Sequence, residues 1–289
     1  MHISLTGRLG SGKSTIARVL RDTRGFQVYS TGAIQREIAL EHKVSTLEMN
    51  QLMADDLSFD HAIDDAVTKI SLDRKNDTII FDSRMAWKFA VNSFKVFITV
   101  DPLVAATRVM NDSRGEEESY SNLEDAKSKL IERSKLENER FKTIYNADYF
   151  DYFNYNLVID STYATPGDIA ELIYDRYQDY CISNSETPKV MMSPASLYPL
   201  EGTIDNELLD KCVESRDYLL NYPSIVVFDG YHYIVKGHHR VLAAIINKEE
   251  FINVESVDAE LQSCSISIVH DFEKTGGFKY KSYPDYYHP

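Results

Sequence analysis

The sequence predicts an α/β fold built on a doubly wound parallel sheet of five strands, followed by a smaller α+β region. Apolar strands alternate with amphipathic helices through roughly the first 180 residues, the order that gives parallel strands with helices on both faces. A glycine-rich loop joins the first strand to the first helix at residues 7–15. The texture changes at Ser183-Asn-Ser-Glu-Thr-Pro188, a polar stretch that suits a linker.

In the first region the strands fall at residues 2–6, 26–29, 78–81, 95–100 and 156–159, each a short apolar run. Helices are expected near 30–42, 58–75, 102–113, 121–145 and 167–179. Beyond the linker come a strand at 189–192, a helix near 205–221 and a strand at 224–228. Asp229-Gly-Tyr-His232 reads as a hairpin-type turn into a strand at 233–235, then a helix near 238–247 and a strand around 253–257. The expected division is therefore 1–182 and 188–270, with a tyrosine-rich tail at 271–289.

The chain has 289 residues, 43% hydrophobic and 26% charged, enough for two domains. No apolar stretch approaches a membrane span, and the N-terminal strand leads straight into the glycine loop, so the expected compartment is the cytoplasm, with no membrane partner. Cys181, Cys212 and Cys264 are scattered without metal spacing. Net charge is −14, and residues 181–289 hold nine Lys and Arg against 16 Asp and Glu. Neither region is basic, which argues against DNA and in favour of a small polyanion as partner.

Residues 7–15 read Gly-Arg-Leu-Gly-Ser-Gly-Lys-Ser-Thr and fit G-x-x-x-x-G-K-[ST] through Gly7, Gly12, Lys13 and Ser14. Glycines let successive backbone N–H groups turn towards a phosphate, and the helix start adds its positive dipole end. Gly10, Ser11 and Thr15 complete the expected ATP cradle. Lys13 is placed for the β- and γ-phosphates and the Ser14 hydroxyl for Mg²⁺.

The acceptor must come from the surroundings. The second strand runs into Tyr29-Ser-Thr-Gly32, where Ser30 and Gly32, with Arg36 on the next helix, suit a second phosphate; a helix cap with a surface arginine is the other reading. The third strand ends in Asp82-Ser-Arg84, on the edge that opens to the loop in a doubly wound sheet. Arg84 suits the acceptor phosphate and Asp82 a Mg²⁺-bound water or the acceptor oxygen. Arg108, Arg114, Arg133 and Arg140 suit neutralisation of a moving phosphoryl group, with Glu137 spaced to steady both Arg133 and Arg140. A solvated ladder of ion pairs is the alternative.

These pieces together resemble the archaeal-type cytidylate kinases of the nucleoside monophosphate kinase family. The likeness is carried by residues 7–15, by Ser30-Thr-Gly32 with Arg36, and by Phe59-Asp-His-Ala-Ile-Asp64. It continues through Glu132-Arg-Ser-Lys-Leu-Glu-Asn-Glu-Arg140, Ile144-Tyr-Asn-Ala-Asp148 and Leu157-Val-Ile-Asp160, covering most of residues 1–180. It implies phosphoryl transfer from ATP to CMP or dCMP, with mobile lid and monophosphate-binding segments. Asp60 and Asp64, four apart on one helix face, suit cytosine's exocyclic amine, with Phe59, Ile63, Ala66 and Ile70 as the complementary apolar stripe. Two departures stand out. Asp82-Ser-Arg-Met85 replaces the family's E-G-R-L, and Asn146 replaces the glycine of Y-G-I-D, which leaves room for a kindred acceptor.

In the second region, Gly237-His-His-Arg240 follows a hairpin and opens a helix, again exposing backbone N–H groups with an arginine beside them. Residues 188–260 resemble the ParB/sulfiredoxin-type fold, and related free-serine kinases carry a similar run. The likeness implies a second phosphate site at Gly237, His238, His239 and Arg240 and a second nucleotide as partner. Glu201 is a candidate carboxylate. Packing or metal-binding histidines remain alternatives, as do a small-molecule kinase and a CTP-sensing switch.

Overall fold

The computed structural model of the chain describes residues 1–32, 58–111, 120–183, 189–200 and 204–257. The strands are β1 (His2–Gly7), β2 (Gln27–Ser30), β3 (Ile79–Asp82), β4 (Ser93–Thr99), β5 (Leu157–Asp160), β6 (Lys189–Met192), β7 (Leu197–Pro199), β8 (Ser224–Phe228), β9 (Tyr231–Lys236) and β10 (Ile252–Ser256). The helices are α1 (Lys13–Arg24), α2 (Ser58–Asp73), α3 (Ala86–Phe89), α4 (Pro102–Asn111), α5 (Leu123–Tyr145), α6 (Pro166–Ser183), α7 (Asn206–Ser215) and α8 (His238–Ile246). The fold is α/β with a mostly parallel sheet. The expected helix near 30–42, the linker at 184–188, Cys264 and the tyrosine-rich tail fall largely or wholly outside the described residues.

The first five strands take the order β2-β3-β1-β4-β5, all parallel. Their side chains alternate between faces as strand pleating requires. Ile3, Leu5, Val96, Ile98 and Ile159 meet Ile16 and Leu20 of α1 and Ile169 and Ile173 of α6. Phe97 and Val158 point to the opposite face and join Phe141 of α5. Each such buried aliphatic or aromatic side chain contributes about 1.5–3 kcal/mol of transfer free energy.

The sheet does not stop at five strands. β6 pairs parallel with β5, Ile159 opposite Met191, and β10 pairs antiparallel with β6. One ten-stranded order, β2-β3-β1-β4-β5-β6-β10-β8-β9-β7, therefore includes strands of both regions. A single apolar cluster likewise passes from Phe97 and Phe141 through Tyr152 to Ile225, Ile234 and Val241. Polar bonds fix the join at the end of β5. Asp160, fully buried, accepts from Ser193 N (3.3 Å), Ser196 Oγ (2.5 Å) and Thr162 Oγ1 (2.5 Å).

Tyr152 and His232 meet across the same join, with Tyr152 Oη 2.7 Å from His232 Nε2. Burial holds the imidazole neutral, down to about 3, and the nearby Arg8 charge acts in the same direction. A depressed histidine contributes stability that is present above its unfolded value near 6.5 and lost as pH falls towards 3. Tyr152→Phe is expected to cost about 1–3 kcal/mol by leaving the ring nitrogen unpaired. A lower urea midpoint at unchanged slope checks it.

Candidate functional site

The glycine loop connects β1 to α1 at the carboxyl edge of the sheet. At Gly10 φ is +74°, and a Cβ there would lie 2.8 Å from the Ala105 carbonyl of α4, so backbone and neighbour both demand glycine. Gly12, at φ +81°, forms the N-cap of α1 with no capping side chain, leaving the helix N–H groups to a phosphate. Gly7 offers its carbonyl to Arg84 Nη1 at 2.6 Å. Ser11 is buried with no partner for its hydroxyl among the described residues. Thr15 lies in the first turn of α1, its N–H donating to the Gly12 carbonyl at 2.9 Å.

Lys13 and Ser14 both meet Asp82. The ammonium group is in ion-pair contact with one carboxylate oxygen, and Ser14 Oγ donates to the other at 2.9 Å. Burial pulls the Lys13 amine down to about 7, helped by the Arg84 guanidinium and opposed by Glu137. The touching Asp82 carboxylate favours the charged form. Serine hydroxyl and carboxylate together form the oxygen-rich pair that suits Mg²⁺. Ser30 lies opposite Asp82 in the β2–β3 pairing, and Gly32 follows at the same strand end.

One helix supplies the opposite wall. α5 is capped by Asn122, whose side chain accepts from Asp125 N at 3.0 Å, and carries Glu124 and Asp125 in its first turn, where the dipole favours acids. It ends at Asn146, left-handed at φ 49°. That conformation explains why the related pattern has glycine here and why asparagine can replace it.

Glu137 of α5 accepts from Arg133 Nε at 3.3 Å and from Arg84 Nε at 3.1 Å. The expected pairing with Arg140 is thus replaced by one with Arg84, because Arg84 reaches across from the end of β3. Arg140 instead donates to Asp60 Oδ1 at 3.3 Å. Arg108 spends its guanidinium on carbonyls, 2.6 Å from Ser161 O, 3.2 Å from Thr162 O and 3.4 Å from Gly10 O. It braces the glycine loop against the turn after β5.

The carboxylate pair on α2 is buried, Asp60 at 8% and Asp64 at 7% exposure, so neither carboxylate faces solvent. The inward stripe is Asp60, Asp64, Val67 and Ser71, whereas Ile63, Ala66 and Ile70 are only half-buried. The side chain of Phe59 lies outside the described residues. Tyr145 Oη donates to Asp64, and Asp60 Oδ2 is buried with no partner among the described residues. Burial raises Asp60, with Arg140 opposing. Burial also raises Asp64 to about 6, the Tyr145 hydrogen bond opposing. Helical spacing alone does not single out Tyr145; its place in the Ile144-Tyr-Asn-Ala-Asp148 run is the signal the sequence offers.

In the second region Gly237 is the left-handed N-cap of α8. His238 Nε2 accepts from Leu200 N at 3.1 Å, and His239 Nε2 from Asp205 N at 3.0 Å. Arg240 Nε pairs with Asp217 at 2.5 Å. Among the described residues no three His, Cys, Asp or Glu side chains form a metal-binding group. No helix among them is long and apolar enough to cross a membrane. Arg36, Arg114 and Glu201 lie outside the described residues.

A glycine loop at the carboxyl edge of a mostly parallel sheet, with lysine and serine facing a carboxylate, defines a phosphate-loop α/β protein. The chain belongs to the cytidylate kinase-like family, whose model matches residues 2–163. This is a family of nucleoside monophosphate kinases. The cytidylate kinase of Thermoplasma acidophilum is 27% identical over 195 residues, 66% of this chain and 100% of that enzyme. That of Methanothrix thermoacetophila is 32% identical over 161 residues, 56% of this chain and 88% of that enzyme. An S-adenosylmethionine-dependent nucleotide dehydratase of Lacinutrix mariniflava is 28% identical over 178 residues, 61% of this chain and 36% of that protein.

Proposed function

We propose that the chain transfers the γ-phosphoryl group of ATP to CMP, dCMP or a close cytidylate relative. The observation that carries this reading is the buried Asp60–Asp64 pair with one unpartnered oxygen, linked through Arg140 to the helix that also reaches Arg84. A buried carboxylate oxygen in need of a donor suits an exocyclic amine, which cytosine has and uracil lacks.

The glycine loop and Lys13 hold the donor's phosphates, and Ser14 with Asp82 would hold Mg²⁺, which would neutralise phosphate charge. Arg84 and Arg133, shared by Glu137, face the acceptor phosphate and the moving phosphoryl group. Arg108 keeps the loop in register. Ser30, Gly32 and Arg36 are assigned to the acceptor's phosphate side and Arg114 to the lid. A soluble, cytoplasmic setting fits such a reaction.

Asp64 also gives the reaction a pH signature. With its value near 6, the carboxylate is protonated as pH falls below that point and stops accepting from an amine. The KM for CMP is expected to rise below pH 6 in wild type, and to rise less in Asp64→Asn, where only the CMP phosphate, itself titrating at about 6, still contributes. For stability the sign is opposite to that of His232: a raised carboxyl contributes below its unfolded value and loses that contribution as pH rises through 6.

For residues 188–270 we keep the ParB/sulfiredoxin-like reading with a phosphate site at Gly237–Arg240. It is favoured by the α8 start, which has a left-handed glycine and no capping side chain. ATP turnover against CMP, dCMP, UMP, AMP and free serine tests both readings, using wild type, Lys13→Ala and Arg240→Ala. CMP-dependent ADP release that is lost in Lys13→Ala and kept in Arg240→Ala is the expected result. Activity lost only in Arg240→Ala would move the kinase centre to the second region.

A further inference from the structure

A cavity of about 420 Å³ lies behind the glycine loop, bounded by Arg8 and Leu9, by Leu130 and Ile131 of α5, and by Phe150 and Tyr152 ahead of β5. The tip of the β8–β9 hairpin, Asp229-Gly230, closes it from the second region. Lys13, Ser14, Asp82, Asp60 and Asp64 do not line it, and of the glycine loop it meets Arg8 and Leu9. Its volume falls in the range of small-molecule sites, roughly 300–1,000 Å³.

The acids of the lining are already engaged. Asp229 pairs with Lys135 at 2.6 Å, Asp148 pairs with Lys142 at 2.6 Å, and Asp151 accepts from Phe153 N at 3.0 Å. Arg8 differs. Its guanidinium lines the cavity, lies over the Phe150 ring at 4.3 Å and interacts with the Tyr152 hydroxyl, and among the described residues no carboxylate pairs with it. A guanidinium without a carboxylate partner, at the wall of a mostly apolar hollow, suits an acceptor oxygen on a ligand. The lining carries two cations, Arg8 and Lys135, against Asp148, Asp151 and Asp229. That balance disfavours a polyanion such as a nucleotide and suits a molecule with one negative charge at most.

We propose that this cavity is an effector site for a small planar monoanion, its ring among Phe150, Tyr152 and Leu130 and its carboxylate-type oxygen on Arg8. Arg8 belongs to the glycine loop, its N–H donating to Ile98 O at 2.9 Å. Lys135 stands on α5 between Arg133 and Glu137 and reaches the hairpin through Asp229. An occupant therefore touches the donor loop, the arginine helix and the second region at once. Through these contacts the occupant is proposed to change ATP affinity, and by linkage ATP then changes its affinity by the same factor. The coupling rests on the phosphotransfer reading; the binding does not.

The test uses ¹⁹F NMR of the full chain with 4-fluorobenzoate as probe and fluorobenzene as its uncharged counterpart. Saturable binding of 4-fluorobenzoate is expected, weakened roughly tenfold or more by Arg8→Met, as for loss of a charged hydrogen bond. Fluorobenzene is expected to lose little. Ile131→Trp, filling the cavity from the opposite wall, is expected to block both. A saturating probe is expected to shift the ATP Kd by about fivefold or more. Unchanged 4-fluorobenzoate affinity in either variant overturns the site, and an unchanged ATP Kd overturns its effector role. If Arg8→Met does not fold, Ile131→Trp decides alone, because it leaves the loop intact. None of these binding readouts requires turnover, so failure of the acceptor assignment registers separately.

Discussion

Lys13→Met is expected to lower kcat by about 10²–10³-fold, the usual loss when one preorganised charge on a developing anion is removed. In the folded protein the ammonium group is bound to Asp82 and sits at the start of α1. Methionine keeps the length and apolar stem of the side chain but supplies no charge to the β- and γ-phosphates. Asp82 keeps the Ser14 hydroxyl, so the pair proposed to hold Mg²⁺ survives. The loss should therefore appear in kcat more than in ATP binding. A steady-state comparison with a circular dichroism check of folding separates this from misfolding. Wild-type kcat in the folded variant would remove Lys13 from the reaction.

Asp60→Ala is expected to raise the KM for CMP by roughly 10- to 100-fold, the range for a lost hydrogen bond to a charged group. Discrimination is the more telling readout. Cytosine presents an amine donor where uracil presents a carbonyl, and a buried carboxylate attracts the first and repels the second. Removing it should lower the preference for CMP over UMP, partly by improving UMP. Arg140 loses its ion-pair partner in the same variant, so Arg140→Gln is the companion. It should impair CMP and UMP to a similar degree, because it leaves both carboxylates in place. KM and kcat for both monophosphates in the two variants check the assignment.

The glycine loop was legible because its signals are local. Glycines, lysine and serine are contiguous, and the strand before and helix after them follow from residue alternation. The i,i+4 spacing of Asp60 and Asp64 was also readable, but their burial was not, since an acidic pair on an amphipathic helix most often faces water. Glu137 shows why partners are harder than positions. Helical spacing offers Arg133 and Arg140, whereas the contact with Arg84 spans 53 residues and depends on where β3 ends.

The continuation of the sheet escaped for similar reasons. A polar run before Pro188 has the composition of a linker, and β6 is four residues long. Its pairing with β5 is set by Lys189 N donating to Asn156 O at 3.1 Å and by Val190 facing the shared apolar cluster. β7, three residues ending in Pro199, is too short to show alternation at all. Its place beside β9 comes from tertiary contacts such as the Tyr198 hydroxyl on Asp101.

The central claim is transfer of phosphate to a cytidylate, and a ³¹P NMR time course of wild type with ATP, Mg²⁺ and CMP tests it most directly. Equimolar appearance of ADP and CDP, absent with Lys13→Met, is the predicted result. ATP consumed without CDP, or no consumption with CMP and dCMP alike, would contradict it.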